Sequence, residues 1–253
     1  ISDIKSAIGV DPYLDGEHLS SWQKHSQEKA MFKLKKILLR AGKELKYNFY
    51  KKKFNFENFS ITPQKIILKK RKPGKYNFKQ LGAHELKNLK QKFDLIYCKA
   101  IEHISDWDTM IDNISSISRK KTILYIKHRS FFSYLGPHRY CSTFIPWGHL
   151  LIKDNEIKKY VEKYHKKRKK QFLDFYFKGL TYPRTTVNEL LAIAQKKGFF
   201  MKTIQIEKPK YANKTIDYIN DVSNFWNIIW KNYPRVSAEE VLSGIYHIVL
   251  EKK

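Results

Sequence analysis

The segment from Phe93 to Ile104, FDLIYCKAIEHI, constrains the fold more than any other part of the chain. Phe93, Leu95 and Ile96 form the kind of apolar run that is typical of a parallel strand covered on both faces. The chain then turns abruptly, and a new apolar face begins. Because α/β sheets bind ligands at the carboxyl ends of their parallel strands, the segment predicts a site as well as a strand.

Strands and helices alternate on both sides of this segment. Apolar residues at helical spacing predict a helix over Trp107–Ile117, and TILYI, from Thr122 to Ile126, predicts a second buried strand. Further strands are predicted at Ser6–Asp11 and from Tyr76 onward. This alternation is the pattern of βαβ units and indicates an α/β fold.

The second half of the sequence continues the pattern and carries clear helix signals. Thr186–Glu189 has the form of a capping box, and Gly198 would end the helix that it opens. We also predict strands over residues 199–207 and 245–250, one amphipathic helix over 216–230 and a second capping box over 237–240.

Length and composition indicate a soluble globular chain. Its 253 residues suit a single domain spanning 1–253, with insertions over about 13–75 and about 130–184. No apolar run approaches the roughly 20 residues of a transmembrane helix. Cys98 and Cys141 are the only cysteines, which argues against a disulfide framework and favours a cytoplasmic location.

The net charge of +26 favours contact with polyanions, but its make-up is mostly lysine. Only eight arginines are present, whereas nucleic-acid readers use arginine for bidentate contacts. The basic residues of 158–170 therefore have two interpretations. They are a solvated helix face, or they bind a phosphorylated acceptor or an anionic membrane surface.

The order of strands and helices resembles that of the Rossmann-like S-adenosylmethionine (SAM) methyltransferases. So does the local pattern of the segment from Phe93 to Ile104, in which FD is followed by two apolar residues and then by EH. The resemblance covers roughly residues 6–11, 76–129 and 185–253. It implies a doubly wound, mostly parallel sheet with an antiparallel last strand, and SAM as the cofactor. The cofactor-binding positions that it implies are Asp11 for the ribose, Gly82 and Ala83 for the adenine, and Cys98, Lys99 and Ala100 for the methionine side.

Two departures from that family pattern bear on the site. The family places a Gly-rich loop after its first strand, and no such loop occurs here, so we interpret the chain as an N-terminally truncated fragment lacking that strand. A degenerate relative without catalysis is the alternative. In addition, Gly82 stands where the family often has an acidic residue, so adenine contacts would fall to Ala83 or Glu85.

The segment of residues 130–184 is expected to be a helical and aromatic lid that shapes a substrate pocket. Its Gly-x-His and Ile-Pro-Trp-x-His patterns resemble methyltransferase-domain proteins of surface-glycan biosynthesis. A hydroxyl acceptor needs a base, and histidine has a suitable pKa, so the candidate catalytic residues are His103, His138 and His149. The candidate substrate contacts are Glu102, Tyr140 and Trp147.

Each of these candidates also has a structural interpretation. Glu102 and His103 could serve as helix-start residues, and His138 and His149 could pack within the lid. A metal site formed by Glu102, His103 and Asp106 is conceivable from the helical spacing, but no metal is predicted.

The sequence therefore predicts a SAM-dependent O-methyltransferase acting on a sugar or another small acceptor, neutral or anionic. Two alternatives stay open, an RNA methyltransferase and a catalytically silent methyltransferase-like binding module. The sequence does not determine the oligomeric state.

Overall fold

The computed structural model describes residues 6–10, 75–79, 81–99, 101–134, 136, 140–179, 184–209 and 212–253. The chain divides into two compact units, Ile1–Gly82 and Ala83–Lys253. Most of the predicted insertion at 13–75 lies outside the described residues. The single-domain organisation and its two insertions stay a prediction.

The first unit contains a two-stranded parallel sheet. Its strands are β1 (Ser6–Val10) and β2 (Lys75–Lys79), with Ser6 opposite Lys75 and Val10 opposite Lys79. Both strands fall where the sequence pattern predicts them. Parallel strands need a long connection, and here the connection spans the residues between Val10 and Lys75.

The second unit is built on a four-stranded mixed sheet in the order β3-β4-β6-β5. Its strands are β3 (Phe93–Lys99), β4 (Ser118–His128), β5 (Phe199–Ile206) and β6 (Tyr246–Lys252). β3 pairs with β4 in parallel, and β6 runs antiparallel to both of its neighbours. Three strands therefore point the same way and the last one is reversed, which confirms the predicted α/β fold with an antiparallel last strand.

Eight α-helices are described in this unit. They are α1 (Trp107–Ser116), α2 (Gly148–Leu151), α3 (Asp154–Tyr164), α4 (Lys169–Lys178), α5 (Val187–Lys196), α6 (Ala212–Asp221), α7 (Phe225–Asn232) and α8 (Ala238–Leu242). Short 3₁₀ helices cover Ala83–Leu89, Ile101–His103 and Lys166–Arg168. No helix among the described residues combines the length and the apolar character needed to cross a membrane.

Side-chain caps define where the two helices beside the sheet begin. The Asp106 carboxylate accepts from the Thr109 backbone N–H at 3.0 Å and so starts α1. Thr186 and Glu189 form the predicted reciprocal capping box at the start of α5. Gly198 has φ +81°, a left-handed conformation that glycine adopts without strain, and it follows α5 as predicted.

Two hydrophobic cores hold the second unit together. The first lies on one face of the sheet, where apolar residues of β4 and β6 are fully buried together with residues of α1 and α5: Leu124, Ile126, Ile248, Leu250, Met110, Ile111, Leu190 and Ala194. The second core joins the lid segment to α7 and α8. Its large aromatic members include Trp147, Tyr176, Phe132, Phe172 and Phe225.

Three sequence predictions need correction. Leu95 is 60% exposed, because the side chains of β3 alternate between the two faces of the sheet and Leu95 shares its face with Tyr97 and Lys99, which are exposed as well. The predicted helix over 216–230 is two helices, α6 and α7, separated at Asn224, whose φ is +60°.

The third correction concerns the capping box at 237–240. Ser237 caps α8 as predicted, by accepting from the Glu240 N–H at 3.1 Å. The Glu240 carboxylate does not return the bond to Ser237. It accepts instead from Ser130 Oγ at 2.5 Å and from the Val187 N–H at 3.0 Å.

Candidate functional site

The carboxyl ends of β3 and β4 lie side by side and form the base of the candidate site. Lys99 at the end of β3 pairs with Lys127, one residue before the end of β4. A 3₁₀ turn of Ile101, Glu102 and His103 follows β3. Ile101 is fully buried, and its carbonyl accepts from Trp107 Nε1–H at 3.0 Å, so the turn has a fixed position.

This turn brings Glu102 close to His128, the last residue of β4. Glu102 Oε2 lies 3.7 Å from His128 Nδ1, and the His128 ring packs edge-on against Trp107 with centroids 5.3 Å apart. His128 is 1% exposed. Burial raises the pKa of Glu102, but the neighbouring His128 and His103 outweigh burial and hold that pKa below its ordinary value. Glu102 is thus an anion at neutral pH, at the end of a parallel strand.

The negative charge of Glu102 also affects Cys98. Burial, and secondarily the Glu102 carboxylate, raise the pKa of the Cys98 thiol to about 11. The thiol is therefore protonated at neutral pH. A protonated thiol is a poor nucleophile, so the role left to Cys98 here is contact and not covalent chemistry.

The exposed side chain of His103 points to a different partner. Its Nδ1 lies 2.5 Å from the carbonyl oxygen of Gly179, which follows α4. A carbonyl oxygen only accepts, so Nδ1 carries the proton that is donated. In the neutral imidazole the basic lone pair is then on Nε2. This bond ties the turn after β3 to the end of α4.

Phe175 extends this connection to the lid. Its ring lies 5.7 Å from the ring of His103 and 5.5 Å from the ring of Tyr140, edge-on to both. The rings of His103 and Tyr140, which the sequence proposed as base and substrate contact, therefore both contact the ring of Phe175. Lys99, which is exposed, and Glu102 lie near His103 along the chain.

Trp147 and His149 lie in the lid core and are buried. The indole Nε1–H of Trp147 donates to the Val241 carbonyl at 3.1 Å. His149 Nε2 donates to the Phe131 carbonyl at 2.9 Å, and burial lowers the pKa of His149 to about 3. Of the two roles that the sequence left open for His149, this geometry favours packing within the lid.

The remaining predicted positions are distributed differently. Asp11, Ala100 and His138 lie outside the described residues. Gly82 is the last residue of the first unit, and Ala83 opens a 3₁₀ helix in the second. Their roles in cofactor binding stay predictions.

Sequence reasoning missed three residues that the structure brings to this region. His128 could have been found, because it ends the strand adjacent to β3 and so obeys the same strand-end rule. No sequence pattern indicated Gly179 or Phe175, since their proximity to His103 depends on how the lid folds back. Within the described residues, no group of three or more His, Cys, Asp or Glu side chains has the arrangement of a metal site.

Comparisons with known proteins give neighbours by structure alone. No protein-family model matches the chain, and no curated protein matches it. The chain is similar to the cyclopropane synthase MmaA2 from Mycobacterium tuberculosis, with a TM-score of 0.40, 12% identity, and coverage of 75% of this chain and 65% of that chain. It therefore spans about two thirds of the length of that synthase.

Two further neighbours are described as SAM-dependent methyltransferases. The protein from Methanosarcina mazei has a TM-score of 0.39 and 11% identity, with 98% of this chain and 82% of that chain covered. The protein from Mesorhizobium loti has a TM-score of 0.39 and 12% identity, with 72% of each chain covered. Likenesses at this level do not by themselves assign an activity. The class defined by the sheet itself is α/β, with a reversed strand between two parallel ones.

Proposed function

We propose that this chain is a SAM-dependent methyltransferase that uses the turn after β3 as part of its cofactor site and His103 as its base. The observation that carries the proposal is the joint position of an ionised Glu102 and an exposed His103 at the carboxyl end of a parallel strand. The reversed strand β6 supports it, because the sequence resemblance implied that arrangement of the sheet.

The residues at the turn after β3 suit the positively charged part of SAM. SAM, when bound, supplies an electrophilic methyl group on a positively charged sulfonium sulfur. Glu102 is a carboxylate whose pKa is below its ordinary value, so it would favour that positive charge. The neighbouring His128 has two buried ring nitrogens, and neither makes a hydrogen bond among the described residues. Its Nδ1 faces the Glu102 carboxylate at 3.7 Å. The proposed ribose acceptor is Asp11.

His103 is suited to remove a proton from a hydroxyl acceptor. Donation from Nδ1 to Gly179 orients the ring and leaves Nε2 as the basic atom. SAM would supply the methyl group for the acceptor oxygen, and its sulfur would keep the electron pair of the carbon–sulfur bond. The hydroxyl proton passes to His103 Nε2, and the nearby Glu102 carboxylate stabilises the imidazolium that forms.

The acceptor that we propose is a sugar hydroxyl or another small acceptor, neutral or anionic, within a biosynthetic pathway such as that of a surface glycan. The support comes from the lid pattern of residues 131–151 and from the ring of Tyr140, which stands near His103 through Phe175. Aromatic rings are common contacts for the apolar faces of sugars. This part of the proposal rests on resemblance in the lid.

Calorimetric titration tests the cofactor site without knowledge of the acceptor. SAM carries the sulfonium charge, whereas S-adenosylhomocysteine has a neutral thioether. Glu102→Gln should weaken SAM binding about tenfold, about 1.4 kcal/mol, and leave S-adenosylhomocysteine binding nearly unchanged. Asp94→Asn is the matched control, because Asp94 lies on the same strand at its other end and is exposed.

The outcomes separate the parts of the proposal. If the full natural protein binds neither compound, the proposed methyltransferase function is wrong. If Glu102→Gln weakens both compounds equally, Glu102 has no charge-specific role. Once an acceptor is found by screening sugar nucleotides, His103→Gln should reduce kcat by about a hundredfold or more and leave the affinity for SAM unchanged.

A further inference from the structure

The lid carries a group of exposed apolar side chains beside its most basic segment. Phe144 is 72% exposed, Tyr164 52% and Ile145 38%. Exposed large apolar residues occur singly on most proteins, but a cluster of them marks a surface that contacts something else.

Direct contacts show that this is one surface. The Phe144 backbone N–H donates to the Tyr160 hydroxyl oxygen at 2.8 Å, and the Tyr160 ring lies 5.0 Å from that of Tyr164. The Phe144 ring stacks on His165, with centroids 4.6 Å apart and planes 8° apart. Phe144 is therefore held outward on the end of α3.

Basic residues surround these rings. Lys163 Nζ lies 5.3 Å from the centre of the Tyr164 ring, and Lys166, Lys167 and Arg168 follow His165 directly in the next turn. We call the set Phe144, Ile145, Lys163, Tyr164, Lys166, Lys167 and Arg168 the basic tip. Over residues 158–170 there are eight lysines and arginines against one acid, Glu162.

Ion pairs neutralise Lys169 and Lys170, which follow the tip in sequence, more than they neutralise the lysines of the tip. Lys169 pairs with Glu162, and Lys170 pairs with Asp174 at 2.5 Å. For Lys166 and Lys167 no ion pair occurs among the residues that the structure describes. These two lysines line a shallow surface hollow together with Lys169, Lys170, Leu173 and Asp174.

Lysines beside exposed apolar side chains favour one kind of partner. A small soluble anion would use the lysines and leave Phe144 and Ile145 in water. Nucleic acid readers favour arginine, and the tip has only Arg168. An anionic lipid bilayer uses both features, because lysines bind its headgroups while apolar side chains enter the boundary with the acyl chains. We propose that the basic tip docks this protein on an anionic bilayer.

The test is co-sedimentation with phosphatidylcholine vesicles that contain or lack phosphatidylserine. The wild-type chain should sediment with the anionic vesicles and not with the neutral ones. Lys166→Gln/Lys167→Gln should bind about thirtyfold more weakly, since each lysine near an anionic surface contributes about fivefold. The control is Lys120→Gln/Lys196→Gln, which removes the same charge from exposed residues elsewhere and should bind nearly as wild type.

A second variant separates the bilayer from other polyanions. Phe144→Ser/Ile145→Ser keeps every charge, and it should bind anionic vesicles about tenfold more weakly while its retention on heparin stays unchanged. Equal vesicle binding by this variant and wild type would overturn the proposal, since the surface would then recognise charge alone. Absence of wild-type binding to anionic vesicles would overturn it as well. Both sites are exposed, and thermal melts verify that the variants fold.

Discussion

Glu240 allows a quantitative prediction of how stability depends on pH. It is 1% exposed, and its carboxylate joins Ser130, which lies after β4, to Val187 at the start of α5. Burial raises its pKa to about 7, the two hydrogen bonds oppose this, and Glu189 and Glu239 add to it. The protonated acid is therefore the form that the folded chain prefers.

The sign of the effect follows from the raised pKa. Below the ordinary value of 4.5 the folded and unfolded chains both hold the proton, and the contribution of Glu240 to stability is complete. As the pH rises from 4.5 toward about 7, the unfolded chain releases the proton first, so the free energy of unfolding falls by about 1.4 kcal/mol per pH unit. The total loss is about 3 kcal/mol, complete above pH 7.

His149 changes stability in the opposite direction over part of this range. Its pKa is lowered from 6.5 to about 3, so its contribution is present above 6.5 and is lost as the pH falls. Between pH 4.5 and 6.5 the two slopes largely cancel in the wild-type chain. A comparison of variants is therefore needed to isolate Glu240.

Glu240→Gln removes the titration and keeps an oxygen that can accept both hydrogen bonds. The free energy of unfolding of the variant, minus that of the wild type, should rise by about 3 kcal/mol between pH 4.5 and 8. Urea unfolding at half-unit steps of pH, followed by circular dichroism, measures it. Glu239→Gln, an exposed neighbour on α8, is the control and should give a nearly constant difference. A constant difference for Glu240→Gln as well would refute the reasoning.

Three further substitutions test packing and capping, each by chemical denaturation. Arg184→Met should destabilise the fold by about 3 kcal/mol, because the buried guanidinium packs over the rings of both Phe131 and Tyr176 and pairs with Asp154 at 3.0 Å; an effect below about 1 kcal/mol would contradict this. Gly244→Ala should cost about 2 kcal/mol, because a Cβ there would stand 2.3 Å from a backbone carbonyl oxygen, and unchanged stability would show that the chain relaxes locally. Thr186→Ala should cost about 1 kcal/mol through loss of the cap of α5, whereas Thr186→Ser should restore most of it.

Features set by neighbouring residues could be predicted from the sequence. The capping box at Thr186 and the end of α5 at Gly198 depend on residues within one or two helical turns. The strand β4 follows from its apolar run in the same way. The resemblance then supplied the reversed last strand, which periodicity alone does not give.

Features set by distant partners could not be predicted. Glu240 does not make the expected hydrogen bond to Ser237, because its buried carboxylate accepts from Ser130 and Val187, which are distant in sequence. Leu95 looks like a core residue by its apolar character, but which strand faces are covered depends on the assembled layers. The proximity of His103 to Gly179 likewise depends on the path of the whole lid.

The position of β6 between β4 and β5 has a consequence for how the chain is made. The ribosome delivers the end of β5 about forty residues before the first residue of β6, and β6 is the strand to which β5 is bonded in the sheet. During that interval β4 and β5 expose open edges, which are prone to pair with other chains. Emergence of IYHIVL would join the two halves of the sheet in one step, so a ribosome-stalled chain that stops before Ile245 should depend on chaperones that shield strand edges.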